Sequence, residues 1–151
     1  MFNISRVKLH NICQYDDADV PIEGGLTAVC GRNGMGKTSF LRALAYGLTG
    51  LVDGSWGTQQ NLQKDGTADP GWVEVHITGS DNLVIRRFST SSTKFPDRVL
   101  RTVNGVVSEV AVRRKEVDRY MNTVFGIPVA LMFQIMWGRQ GRLDDLLTSP
   151  P

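Results

Sequence analysis

The chain has 151 residues, 41% apolar and 21% charged, which excludes a disordered, fibrous or multi-domain protein and leaves one globular domain able to bury a sizeable core without staples. Its net charge of +2 is too small for bulk electrostatics to mark a nucleic-acid or membrane binder. The charge is uneven, however: residues 1–85 hold 6 basic and 9 acidic side chains, whereas residues 86–151 hold 11 and 6, so the two halves are expected to face different partners.

Val7 and Leu9 alternate with Arg6, Lys8 and His10, the pattern of a half-buried strand and one that leaves no apolar core for a signal peptide. Residues 14–22 read as a second, more acidic strand ending near Pro21. After Gly24 and Gly25, the short apolar run Leu26-Thr27-Ala28-Val29-Cys30 predicts a strand buried on both faces. Gly31 to Gly36 form a glycine-rich loop, and from Lys37 the period changes to Phe40, Leu41, Leu44 and Leu48, one face of a helix closed by Gly50. Residues 51–71 read as a long polar surface loop.

The second half predicts antiparallel structure rather than repeated βαβ units. Val73, Val75 and Ile77 alternate with polar neighbours and turn through residues 79–82 into Leu83 to Phe88, a hairpin. Residues 98–107 form another, whose Asn104-Gly105 favours a type I′ turn. Val117, Tyr120, Met121 and Val124 mark an amphipathic helix ending at Gly126. An apolar stretch from Val129 to Trp137 leads into Gly138-Arg139-Gln140-Gly141. No apolar run reaches the roughly 20 residues needed to span a bilayer. Cys13 and Cys30 have neither metal-ligand spacing nor the number for a disulfide framework, which favours a reducing compartment.

Gly31-Arg32-Asn33-Gly34-Met35-Gly36-Lys37-Thr38 fits GxxxxGK[ST], the P-loop, a pattern expected by chance in only about one in a hundred chains of this length. The loop's N–H groups and the following helix N-terminus favour phosphate; the Lys37 ammonium is expected on the β- and γ-phosphates of ATP, and the Thr38 hydroxyl on Mg²⁺. A complete P-loop hydrolase also needs an acid at the end of a second buried strand. No such pair is legible: Asp144-Asp145 follow Gly-Arg-Leu, and Leu83 to Ile85 lead into Arg86-Arg87. Nor does Asn61-Leu62-Gln63-Lys64-Asp65 place Asn beside Lys as guanine-reading loops do. The chain is expected to bind a nucleotide without completing its chemistry.

From Val7 to Gly50, with the Asn33-Gly34-x-Gly36-Lys37-Thr38-Ser39 loop and Leu44-x-x-Gly47-Leu48-x-Gly50, the chain resembles the start of an ABC-type ATPase head. Within that group it resembles SbcC and its archaeal and eukaryotic double-strand-break-repair relatives, of the structural-maintenance-of-chromosomes (SMC) class. Gln140, 103 positions after Lys37, matches the placement of the Q-loop in these heads, and Gln140-Gly141-Arg142 with Asp144 and Leu146-Leu147 resembles the approach to their coiled coil. The chain departs from many relatives at Ile12-Cys13, where they carry Phe-Arg.

The resemblance implies an α/β fold: a P-loop ABC-type lobe with a mixed sheet, an antiparallel β subdomain and helices, residues 1–151 being the N-terminal half of a head from P-loop through Q-loop. It implies ATP and Mg²⁺ as ligands, with Arg32, Asn33, Gly34, Met35, Gly36, Lys37, Thr38 and Ser39 on the nucleotide, Thr38 and Gln140 on the metal, and Lys37 and Gln140 in catalysis. ATP hydrolysis would require the C-terminal lobe of the same protein, which supplies the missing acids, and a second copy of the head. An SbcD-type nuclease and double-stranded DNA are the further partners implied, in the cytoplasm with the nucleoid or in a nucleus. Of nine positive charges between Arg86 and Arg119, Arg113, Arg114, Lys115 and Arg119 are expected to track DNA phosphates, against the plain alternative of a solvated face. Two alternatives stand: a RecF-like or chromosome-organising SMC lobe without a nuclease, and a self-contained small P-loop kinase. Trp56, Trp72 and Trp137 are expected to anchor core or loops rather than stack on bases.

Overall fold

The computed structural model describes residues 2–54 and 57–136. Six strands form one sheet, β1 (Asn3–Ile12), β2 (Tyr15–Pro21), β3 (Trp72–Thr78), β4 (Asn82–Phe88), β5 (Arg98–Val103) and β6 (Val106–Val112), in the order β2-β1-β3-β4-β5-β6. Among these residues three helices join them: α1 (Lys37–Thr49), α2 (Arg114–Phe125) and α3 (Val129–Met136), with a 3-10 turn at Gln59–Leu62.

Register shows why the strand pattern works. Val20, Val7, Val75, Ile85, Val99 and Ala111 are paired in succession across all six strands, and all but Val20 are buried. One step along, on the opposite face of the pleat, runs Asp19, Lys8, Glu74, Arg86 and Arg98. Opposite charges alternate across the first four positions, as cross-strand pairing favours. At Asn104-Gly105 both residues have positive φ (50° and 79°), the type I′ turn expected of that pair.

On the charged face, Arg86 donates to Glu74 through Nε at 2.8 Å and His76 Nε2 lies 2.7 Å from the same carboxyl. Burial alone would raise the Glu74 carboxyl, but Arg86 and His76 outweigh it and hold it below the usual carboxylate range. A depressed folded pKa means stability that is present above the unfolded value and lost as pH falls through the folded one. Acid unfolding followed by circular dichroism is therefore expected to be shallower below about pH 4.5 in Glu74→Gln than in the unaltered chain.

α1 packs on β3 and β4. Phe40, Ala43, Tyr46 and Leu48 are buried and Leu44 packs against the core, while Leu41 is 43% exposed, so the predicted stripe holds except at Leu41, and where the helix comes closest to the sheet the residue is a buried glycine, Gly47. The reason is proximity: a Cβ on Gly47 would come within 2.6 Å of Val75 Cγ2 and 2.8 Å of Val73 Cγ1. Gly50 closes the helix in the left-handed conformation, its N–H bonded to the Tyr46 carbonyl at 2.7 Å. Val117 and Met121 bury the inner face of α2. The expected surface loop after α1 is pinned at one point, where Leu62 is 1% exposed and Gln63 bridges Ile12.

Leu26 to Cys30 do not form a strand. They are exposed, Leu26 fully so, and among the described residues the sheet is antiparallel throughout rather than mixed. A buried parallel strand needs paired neighbours on both sides, and none of the six strands pairs with this run. Among the described residues no helix is long and apolar enough to cross a membrane.

Candidate functional site: a phosphate-binding loop

The loop from Gly31 to Gly36 leads directly into α1. Gly34 and Gly36 hold φ of 80° and 90°, conformations open to glycine at little cost. α1 begins with no side-chain cap and no acidic residue in its first turn, so its leading N–H groups and the positive end of its dipole face outward. Lys37 curls over the loop, its Nζ donating to the carbonyls of Gly31 and Arg32 at 2.7 and 2.8 Å. The ammonium is thereby aimed at the mouth of the loop. Arg32, Asn33, Gly34, Met35 and Thr38 are exposed, Ser39 is half-buried, and Gly36 is buried. The structure thus brings together all eight residues expected on the nucleotide; Gln140 lies outside the described residues.

A cavity of about 640 Å³ opens beside the loop, bounded by Tyr15, Val29, Cys30, Lys37, Phe40 and Leu44 among others. Its floor is largely apolar. It occupies the space flanking Leu26 to Cys30 where sheet neighbours are missing.

The turn between β1 and β2 also contributes, which neither periodicity nor motif spacing announces. Tyr15 donates its hydroxyl to the Gly36 carbonyl at 3.1 Å. The Cys13 thiol bonds Ser39 beside Arg42; burial raises its pKa more than these neighbours lower it. The only hint was the departure from the family's Phe-Arg at Ile12-Cys13.

Most of the basic stretch is committed to internal pairs. Arg87, wholly buried, lies 2.8 Å from Asp118 and 3.7 Å from Asp97; Arg86 pairs with Glu74, Arg98 with Glu109 and Arg101 with Asp81. Arg114 must be withdrawn as a free phosphate contact. Its Nε bonds Asp97 at 3.0 Å, and its Nη2 donates to the Tyr46 hydroxyl at 2.6 Å, because burial of Asp97 demands charged partners. Arg113, just before α2, and Lys115 and Arg119 on it remain exposed. Trp72 lies on β3, stacked on His10 at 5.5 Å with Arg86 over its other side, a strand-end anchor; Trp56 and Trp137 fall outside the described residues.

Loop, helix and sheet together define a P-loop nucleotide-binding lobe of the α/β class. The family described as AAA domain matches residues 6–127, and the chain belongs to it. Over 97% of its length the chain is 25% identical to the DNA double-strand break repair Rad50 ATPase of Saccharolobus solfataricus, covering 16% of that protein. It is 24% identical over 98% of its length to the Rad50 ATPase of Thermoplasma acidophilum, again covering 16%. An Smc-like protein, Sph3, of Haloferax volcanii is 35% identical over 58% of the chain. A solved structure described under ATP-driven dimerization and DNA stimulated activation of SMC ATPases shares the fold, with a TM-score of 0.62 and 21% identity over 98% of this chain and 92% of that one. The resemblance to the double-strand-break-repair ATPases read from Val7 to Gly50 is borne out, and the chain spans about a sixth of the length of the curated Rad50 relatives named here.

Proposed function

We propose that this chain is the ATP-binding N-terminal lobe of an SbcC- and Rad50-like ATPase acting in DNA double-strand-break repair, hydrolysing ATP only when a C-terminal lobe and a second head complete the site. The observation that supports the reading is a glycine-rich loop standing between a finished helix and a run, Leu26 to Cys30, that has the composition of a buried strand yet is exposed and unpaired in the sheet. The cavity beside it is the space a second lobe would fill.

Within that site, Lys37 neutralises the β- and γ-phosphates and the loop N–H groups hold their oxygens. Mg²⁺, when bound, supplies charge neutralisation across the phosphates. The donor set suits it: the exposed Thr38 hydroxyl stands at the helix start, and no group of three His, Cys, Asp or Glu side chains forms among the described residues, which fits a cation that keeps several waters and leans on phosphate oxygens. Gln140 is proposed to sense the γ-phosphate and couple it to lobe movement. ATP-driven pairing of two heads would then gate DNA and an SbcD-type nuclease, inside the cell and in company with DNA. Arg113 at the start of α2 and Lys115 and Arg119 on it are the side chains proposed to meet duplex phosphates, with affinity falling steeply as salt rises. The likeness to Sph3 favours a second reading, an SMC-type lobe that works without a nuclease.

The test is reconstitution. The chain alone is expected to bind MgATP with negligible turnover, and addition of the matching C-terminal lobe to produce ATP-dependent dimers and hydrolysis. Robust turnover by the chain alone would overturn the half-site reading. A nuclease that co-purifies with the reconstituted head favours the repair assignment over the second reading.

A further inference from the structure

The turn joining β1 to β2 rests on the first turn of α1 and is held there from behind. Its conformation is fixed locally by Asn11 and Cys13, both with positive φ (49° and 51°). The loop after α1 supports it, with Cys13 N–H donating to the Leu62 carbonyl at 2.7 Å and Lys64 N–H to the Asn11 carbonyl at 2.9 Å. From the front it touches α1 on either side of Gln14: Cys13 bonds Ser39, and Tyr15 bonds the Gly36 carbonyl.

Between those two contacts, the Gln14 carboxamide covers Gly36. A Cβ at Gly36 would collide with Gln14 Nε2 and lie 2.7 Å from its Cδ, so Gly36 is required both for its φ of 90° and for the space this side chain takes. Gln14 is exposed, and no hydrogen bond of its carboxamide to another described residue is formed. A glutamine normally satisfies such an amide with backbone or water. Here its Nε2 lies against Gly36, at the end of a loop whose backbone amides, helix end and lysine all favour negative charge.

We infer that Gln14 is a nucleotide-positioning residue, its carboxamide donating to an oxygen of the bound polyphosphate. The inference rests on the nucleotide-binding reading above and extends it to a side chain outside the P-loop. A neutral donor adds direction without adding charge, so it orients the phosphate chain that Lys37 attracts. A hydrogen bond to a charged oxygen is among the stronger neutral-donor contacts.

The experiment measures binding of ATP, ADP and AMP, each with Mg²⁺, to the full 151-residue chain and to two variants of matched size, Gln14→Met, which removes the donors, and Gln14→Glu, which replaces them with a negative charge. Gln14→Met is expected to weaken MgATP binding about tenfold and Gln14→Glu roughly a hundredfold. Both losses are expected to shrink from ATP to ADP and to vanish for AMP, with the nucleotide-free thermal midpoint unchanged. That dependence on phosphate number is something a merely structural role would not produce. Equal MgATP binding by all three chains, or a loss that is the same for AMP, overturns the inference while leaving the nucleotide site standing. Failure of the unaltered chain to bind MgATP overturns the site and the inference together.

Discussion

Replacing Lys37 with alanine is expected to weaken MgATP binding by on the order of 100-fold or more, because the ammonium supplies charge-assisted hydrogen bonds to the phosphates. The fold should hardly notice. Among the described residues the Lys37 ammonium is bonded to the Gly31 and Arg32 carbonyls alone, at the surface, and losing such contacts costs about 1 kcal/mol or less of stability. Titration with a fluorescent ATP analogue, paired with urea unfolding of both chains, separates the two effects. Retained affinity in a folded Lys37→Ala chain would mean that the loop is a glycine turn and no phosphate site.

The second large effect lies at the opposite end of α1 and reverses the pattern. Arg87 is wholly buried; its Nε donates to the Gly47 carbonyl at 3.2 Å, tying α1 to β4. Its Nη1 is 2.8 Å from Asp118 Oδ1 but out of hydrogen-bond alignment, so that pair is held by charge rather than by a directed bond. Asp97 has further support from the Phe88 N–H at 2.9 Å and from Arg114. Tyr46 completes the cluster with its hydroxyl on the Phe88 carbonyl at 2.5 Å, and burial pushes that hydroxyl's pKa well up, against the opposing pull of Arg114. Arg87→Ala leaves a cavity and strips the buried Asp97 and the half-buried Asp118 of a charge partner, at an expected cost of about 3–5 kcal/mol in urea unfolding. Arg87→Met, which keeps most of the volume, should recover roughly half of that. A change below about 1 kcal/mol in Arg87→Ala would show that water or relaxation replaces the guanidinium.

These two residues mark what the sequence made legible and what it did not. Lys37 declares itself because the P-loop is contiguous: loop, lysine and helix occupy neighbouring positions, so local spacing carries the chemistry. The hairpins declare themselves for the same reason, through alternation and the Asn104-Gly105 turn. Arg87 does not. Its role depends on Gly47, Asp97 and Asp118, which only the packed sheet brings together, and in the sequence it read as one more positive charge in a basic run. Arg114 was misplaced by the same logic, since a charge count cannot distinguish a side chain turned inward to Asp97 from one facing solvent. Gln14 was equally hidden, being remote in sequence from the glycine it covers. Leu26 to Cys30 present the opposite case, where composition described a burial that the chain by itself does not provide. On the proposed half-head reading, the second lobe would supply that burial.

That last segment carries a consequence for the isolated lobe. Five uncharged residues with an open backbone are a template for intermolecular β-pairing, the situation that native edge strands avoid with charges, bulges or cover. Here the flanking glycines, Gly24 and Gly25 on one side and Gly31 on the other, are the only interruption, and they supply no repulsion. A lobe produced without its complement would therefore be prone to self-association in proportion to its concentration. Physical linkage of the two halves in one polypeptide would then act as protection as well as assembly, covering the sticky run at an effective concentration no stray neighbour could match.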